Sequence, residues 1–134
     1  MQTDITFHCD IDYNFRSPEE QVRAFPYHDY AICLHTHSFY EINIVLSGRG
    51  VHQIMGTSLP VKAGAVFIIP PMVPHAYYDT ENMDVFHILV RPEVIQKELK
   101  DACCVEDFCC SWKLSRICAQ PLTHPLFCSC SKRI

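Results

Sequence analysis

Four residues of this 134-residue chain carry the chemistry it is best equipped for: His35, His37, Glu41 and His75. In His35-Thr36-His37, followed by Glu41, two imidazoles and a carboxylate share parity. On one extended strand all three would project to the same face. Their convergence on a common point is what a borderline divalent ion requires. Gly48 comes next and permits a tight turn. A second pattern runs from Gly64 through Pro70 to His75. Gly64 turns the chain, the apolar run Ala65 to Ile69 crosses a core, and the proline-rich corner stiffens the approach to His75. That corner returns His75 as a fourth ligand. Three histidines and one carboxylate suit zinc, nickel, manganese, iron or cobalt, so the sequence implies one divalent ion without choosing among them. The competing reading is a hydrogen-bonded polar pocket that holds no metal.

Strands must position these residues. From Ala31 to Val90 the chain alternates β-branched and aromatic runs with short turns. Glu41 to Ser47 reads as one strand, ended by Gly48-Arg49-Gly50. Val51 to Met55 reads as the next, turned by Gly56-Thr57-Ser58. Leu59 to Lys62 is a short strand, Ala63-Gly64 a turn, and Ala65 to Ile69 a strand covered on both faces. Pro70, Pro71 and Pro74 exclude a helix or central strand. Met83 to Val90 is the last clear strand. Many short strands without intervening helices predict an all-β sandwich or barrel.

Residues 1–30 read as a lead-in segment. Ser17-Pro18-Glu19-Glu20 is a helix start, with Ser17 as cap, and predicts a short helix to about Arg23, stopped by Pro26. Pro92 opens a C-terminal helix over 91–102, in which Val94, Ile95, Leu99 and Ala102 form an apolar stripe. Residues 103–134 lose periodicity and gain cysteine, and are expected to be a poorly ordered or truncated tail.

Inside such a barrel, Asn43 continues the parity of His35 and Glu41. Tyr77 and Asp79 lie just past His75. His87 shares parity with Val85 and Leu89. Asn43, Tyr77, Asp79 and His87 are therefore the expected ligand-binding positions, against plainer readings as a buried hydrogen bond, an ordinary loop and a satisfied histidine. His52, beside the Gly50 turn, is expected to be solvated.

Composition excludes several classes. The net charge of −4 gives no general nucleic-acid footprint. Met1 to Asp10 is polar and does not read as a signal peptide, and no apolar run is long enough to span a bilayer, so the expected location is the cytoplasm. Seven of the nine cysteines come after residue 102, and no C-x-x-C pair occurs. Neither a disulfide framework nor a zinc ribbon is supported.

The residues also carry a family resemblance. His35 to Gly48 resembles the first cupin motif, and Gly64 to His75 the second. The stretches HSFYEINIVLSGRGVHQI, VKAGAVFIIPPMVPHAYYD and VFHILV are similar to the N-terminal sensor domain of AraC-type transcription regulators, over roughly residues 28 to 100. The resemblance implies a double-stranded β-helix, or jelly-roll barrel, in which the positions of His35, His37, Glu41 and His75 bind metal. It also implies a small polar effector, with sugars as one class, and a homodimer. Two positions depart from the pattern: Met72 stands where a glycine is usual, and Asp79 where an asparagine is common. No helix-turn-helix unit is visible, so the resemblance implies a sensing and dimerising half that does not itself bind DNA. The alternative is a stand-alone metal-dependent cupin enzyme of isomerase or dioxygenase type, which lacks an evident acid or base partner. A third reading is a degenerate fragment without function.

Overall fold

The computed structural model describes residues 4–98 and 120–121. In chain order these form β1 (Phe7–Cys9), α1 (Ile11–Asn14), β2 (Val22–Tyr27), β3 (Ile32–His37), β4 (Tyr40–Ile54), β5 (Thr57–Lys62), β6 (Ala65–Ile69), β7 (His75–Val90), α2 (Pro92–Glu98) and β8 (Gln120–Pro121).

Two long antiparallel strands, β4 and β7, organise the molecule. They pair from Tyr40↔Val90 to Ile54↔His75, with register shifts between Val45 and Val51. Those shifts divide each strand into two halves with different outer neighbours. The first half of β4 pairs with β6, and the second half with β5. The last residues of β7 pair with β2, and its first residues with β3. β1 adds in parallel to β3, and β8 pairs antiparallel with β6. The sheet thus folds on β4 and β7 into the jelly-roll barrel expected of a cupin.

The bend has a local cause. Gly48 has φ +71°, and a Cβ there would collide with the backbone carbonyls of Glu81 and Asn82. Only glycine fits so close an approach in that conformation. Asn82 and Asp79 on the facing strand also have positive φ.

The barrel's core includes Val45, Phe67, Ile69, Tyr77, Met83 and Val85, all nearly inaccessible to solvent. Full burial of such side chains contributes about 1.5–3 kcal/mol each. β6 shows how the sequence achieves this: Ala65, Phe67 and Ile69 are buried, while Val66 and Ile68 are partly covered.

Several expected boundaries move. The short N-terminal helix lies at Ile11–Asn14, where Asp10 caps it through Asp12 N, and not over Ser17 to Arg23. The Ser17 carbonyl accepts from Glu20 N in a single turn, and the chain then enters β2. The edge of β7 offers Val22–Tyr27 a full ladder, which a short exposed helix cannot match. Pro26 is tolerated because β2 is an edge strand. β4 continues through Gly48–Gly50 instead of breaking there, and β7 begins at His75 instead of Met83. β5 begins at Thr57, because the turn closes at Met55–Gly56.

Arg91 ties the start of α2 to the lead-in segment. It donates to the carbonyls of Glu20 (2.7 Å) and Ser17 (3.2 Å) and lies 4.6 Å over the Phe15 ring. Leu99 and Ala102 of the expected apolar stripe, and residues 103–119 and 122–134 of the expected tail, lie outside the described residues. Among the described residues no helix is long and apolar enough to cross a membrane.

Candidate metal centre and ligand chamber

Three strands deliver the four expected ligands. His35 and His37 sit on β3, Glu41 on β4 and His75 at the first position of β7. The expectation of one curved strand carrying His35, His37 and Glu41 is corrected here. Ser38 and Phe39 bend the chain between β3 and β4, so parity along a single strand is not what brings the residues together. Cross-strand register does so instead, with His35 directly opposite His75.

The ligand atoms of His35, Glu41 and His75 lie within 4.8 Å of one another, and all three residues are buried. His37 stands beside this trio. Its Nε2 is 3.4 Å from Glu41 Oε2, and His75 Nε2 is 4.0 Å from the same oxygen.

The ring orientations are fixed from behind. His35 Nδ1 donates to the Cys33 carbonyl (3.0 Å), His37 Nδ1 to that of Phe39 (2.6 Å) and His75 Nδ1 to that of Val73 (3.0 Å). A carbonyl only accepts, so each Nδ1 carries the proton and each Nε2 keeps its lone pair. Flanking rings hold the planes. Phe7 stacks on His35 at 5.0 Å, and Phe39 on His37 at 4.6 Å.

The second motif supplies the corner before His75. Met72 N donates to the His37 carbonyl (2.8 Å), which joins that corner to β3. Met72 has φ +65°, the left-handed conformation that explains why glycine is usual there. Asp79, at φ +49°, occupies a conformation that asparagine tolerates well.

Electrostatics keep the donor set ready for a cation. Burial pushes the His75 imidazole down to about 3, and the neighbouring His35 and His37 add to this against Glu41. Burial likewise lowers His35 and His37, with Glu41 opposing. For Glu41 burial acts upward. The hydrogen bond from His87 and the nearby His75 and His37 outweigh it and hold the carboxyl well below the usual range. Near pH 7 the set is therefore neutral imidazoles around one carboxylate, the state in which such groups bind metal. His37 Nε2 and His75 Nε2 are buried and accept no hydrogen bond from the protein. Leaving such an acceptor unsatisfied costs about 1–3 kcal/mol. An ion bound by these lone pairs would remove that cost, so the donor set fits a divalent cation.

The remaining expected ligand positions separate. Asn43, Tyr77 and His87 are buried within the barrel. Asn43 Nδ2 donates to the Tyr77 hydroxyl at 3.3 Å, and His87 Nδ1 donates to Glu41 Oε1 at 3.1 Å. Burial raises the Tyr77 phenol well above its ordinary range. The structure does not bring Asp79 to this group. It is exposed and borders an outer groove with Arg49 and Lys62.

Sequence reading missed His52. Expected in solvent, it is fully buried, its ring stacked on Tyr77 at 4.2 Å and against Phe67 at 4.4 Å. Burial, with His75 nearby, pushes its imidazole down to about 3. Breaking the strand at Gly48–Gly50 placed His52 beside a turn. In the continuous β4 it lies within the second half of the strand, opposite Tyr77. Its signal was an unbroken strand pattern across the glycines.

Comparison with known proteins agrees with this architecture. Residues 18–122 match the family described as AraC-like ligand binding domain. The chain belongs to that family. As an AraC-like ligand-binding domain with a cupin barrel, it is a ligand-sensing domain of the regulator type. It is 35% identical over 57 residues to the HTH-type transcriptional activator RhaS of Escherichia fergusonii, covering 42% of this chain and 20% of the relative. It is 35% identical over 60 residues to the activator RhaR of Mannheimia succiniciproducens, covering 45% and 22%. The AraC-like domain thus spans about a fifth of the length of the curated relatives it matches. Among solved structures, a conserved Streptococcus pyogenes protein of unknown function is similar at TM-score 0.50 and 22% identity, covering 55% of this chain and 68% of that one. A Bacteroides fragilis cupin protein is similar at TM-score 0.47 and 21% identity, covering 54% and 67%.

Proposed function

We propose that this domain senses a small polar effector inside the barrel, at a divalent ion held by His35, Glu41 and His75 with His37 beside them. The buried trio of ligand atoms within 4.8 Å, backed by lone pairs that no protein group satisfies, carries this reading. When bound, the ion supplies a Lewis-acid anchor for a hydroxyl or carboxylate oxygen of the effector. The protein's own groups do the rest. The Nδ1 hydrogen bonds to Cys33, Phe39 and Val73 hold the rings in one tautomer. His87 orients the Glu41 carboxylate, and Asn43 and Tyr77 present polar atoms to the effector. Hydrogen bonds of this kind, made to the ligands from behind, commonly account for about 10–100-fold in metal affinity.

Control of transcription by effector occupancy is suggested by the likeness to RhaS and RhaR and is part of the same proposal. So is a cytoplasmic homodimer. α2, which carries Val94 and Ile95, is the surface assigned to the dimer contact, and DNA is not a direct partner of this domain. The deciding experiment is elemental analysis of protein purified with and without added zinc, nickel, manganese, iron and cobalt, with thermal unfolding of each sample. One bound ion per chain with a raised unfolding temperature supports the reading. Absence of stoichiometric binding for all five refutes the metal part.

A further inference from the structure

The half of the sheet formed by β2, β7, β4 and β6 carries apolar side chains on its outer face. On β4 the usual alternation is inverted. Glu41 and Asn43 are buried in the barrel, while Ile42, Ile44 and Leu46 project outward. Strand register lines these up with their neighbours. Ala24, Ile88, Ile42 and Ile68 form one row across the four strands. Pro26, Phe86, Ile44 and Val66 form the next. No charged or hydrogen-bonding side chain interrupts either row. The members on β4, β6 and β7 are only half-buried, and Leu46 beside them is 52% exposed. Neither hydrophobic core of the described residues includes any of the two rows. Antiparallel sheets that meet water on one face normally carry polar side chains there. A continuous apolar surface of this kind marks a contact site.

The chain's own path supplies the occupant. It leaves this half of the sheet at Val90, where β7 pairs with Tyr40 and Val22, and enters α2, described to Glu98. It returns as β8, whose Gln120 and Pro121 pair with Val66 and Ala65. β8 stands three strands from β7, and at the end of β6 opposite to the one that meets Glu41. Three strand spacings amount to about 14 Å. Residues 99–119 join these two corners. Core side chains fill the barrel, so the direct route runs over the outer face. The segment has the composition for that route, since Val105, Phe108, Trp112, Leu114 and Ile117 lie within it. Laying those side chains on bare apolar strands removes both surfaces from water.

We propose that residues 99–119 pack across this outer face, with their apolar side chains seated on Ile42, Ile44, Phe86 and Ile88. This packing requires neither an ion nor an effector in the barrel.

Trp112 is the chain's only tryptophan, so its fluorescence reports on the segment without a label. In the full chain its emission is expected to be blue-shifted relative to the urea-unfolded chain, and to be weakly quenched by acrylamide. Ile44→Thr and Phe86→Thr, on two different strands, place a hydroxyl on the face and keep a residue that suits a strand. Each is expected to shift the emission toward that of the unfolded chain and to raise the quenching, while far-ultraviolet circular dichroism keeps its strand signal. Tyr13→Ser, at a 90% exposed position on α1, is expected to change neither. Should the threonine variants not fold, Ile44→Val and Ile88→Val are expected to give a smaller shift in the same direction. Emission and quenching of Trp112 in the folded chain equal to those of the unfolded chain overturn the proposal. A shielded Trp112 that no face variant moves overturns it too. Sedimentation at several concentrations covers the remaining occupant: association that the face variants abolish, with Trp112 open to quencher, assigns the face to a second copy of the chain and overturns the packing proposed.

Discussion

His35 and His75 face one another as a registered pair on antiparallel β3 and β7, with ring centroids 4.2 Å apart. One residue opens the first sequence motif and the other ends the second. Their pairing turns two motifs 40 positions apart into one site. Glu41 arrives from β4, so the trio depends on three strands holding register.

The Glu41 carboxylate is the set's only anion, and His87 orients it at 3.1 Å. Glu41→Gln keeps the shape and removes the charge. Metal affinity should fall by at least about 100-fold, beyond the usual effect of changes behind the ligands, whereas His87→Phe should cost about 10–100-fold. Competition titration with a chelating dye measures both. Equal losses in the two variants would contradict the division between ligand and orienting residue.

Acid should destabilise the metal-free protein through its buried histidines. His52 and His75 are held down to about 3, whereas unfolded histidines take up a proton near pH 6.5. Above about pH 6.5 neither state is protonated and the stability is fully present. Between about pH 6.5 and 3 only the unfolded state gains protons, so stability falls by up to about 1.4 kcal/mol per pH unit for each histidine. Urea unfolding with a chelator present at pH 7.5, 6.0 and 5.0 measures this slope. His52→Phe should lower it by about one histidine's share. A flat profile would mean that these histidines are solvated in the folded state.

Gly48 should tolerate no side chain. Its φ of +71° and the approach of the Glu81 and Asn82 carbonyls both act against a Cβ. Gly48→Ala should cost about 3 kcal/mol or more, as a strained and overpacked position. Gly56, at φ +77° with nothing near its Cβ position, provides the control. Gly56→Ala should cost about 1 kcal/mol, from backbone conformation alone. Chemical denaturation of both variants separates the two effects.

Met72 should be improved by glycine. It is exposed, with φ +65°, so its side chain contributes little packing against the left-handed strain. Met72→Gly relieves that strain but frees the unfolded chain, for a net gain of about 0.5–1 kcal/mol. A loss of stability on denaturant unfolding would show that the Met72 side chain does more than its exposure suggests.

The residues of the candidate site were legible in the sequence as a set, but the reason they meet was not. His35, His37, Glu41 and His75 stood out by type and spacing. Parity assigned three of them to one strand, whereas the bend at Ser38–Phe39 divides them between two. Strand pairing is a long-range property, and a local alternation pattern cannot report it. The helix expected after Ser17 failed for a related reason. Its capping signals are local, while the free edge of β7 that claims Val22–Tyr27 is supplied from far along the chain. The strand at Ala65–Ile69 was readable because its unbroken apolar run is a local signal of a strand covered on both faces, and the run is buried at Ala65, Phe67 and Ile69 and partly covered at Val66 and Ile68. His52 was lost through the glycines at Gly48 and Gly50, which bend β4 without ending it.

Whether His75 and the first-motif residues share one ion is open to a direct measurement. Metal content and affinity of the wild-type chain are compared with those of His75→Ala by elemental analysis and chelator competition after identical loading. About one ion per chain is expected in the wild type and, in a folded His75→Ala, an affinity weaker by at least about 100-fold. Equal metal content and affinity in the two proteins would contradict a shared ion.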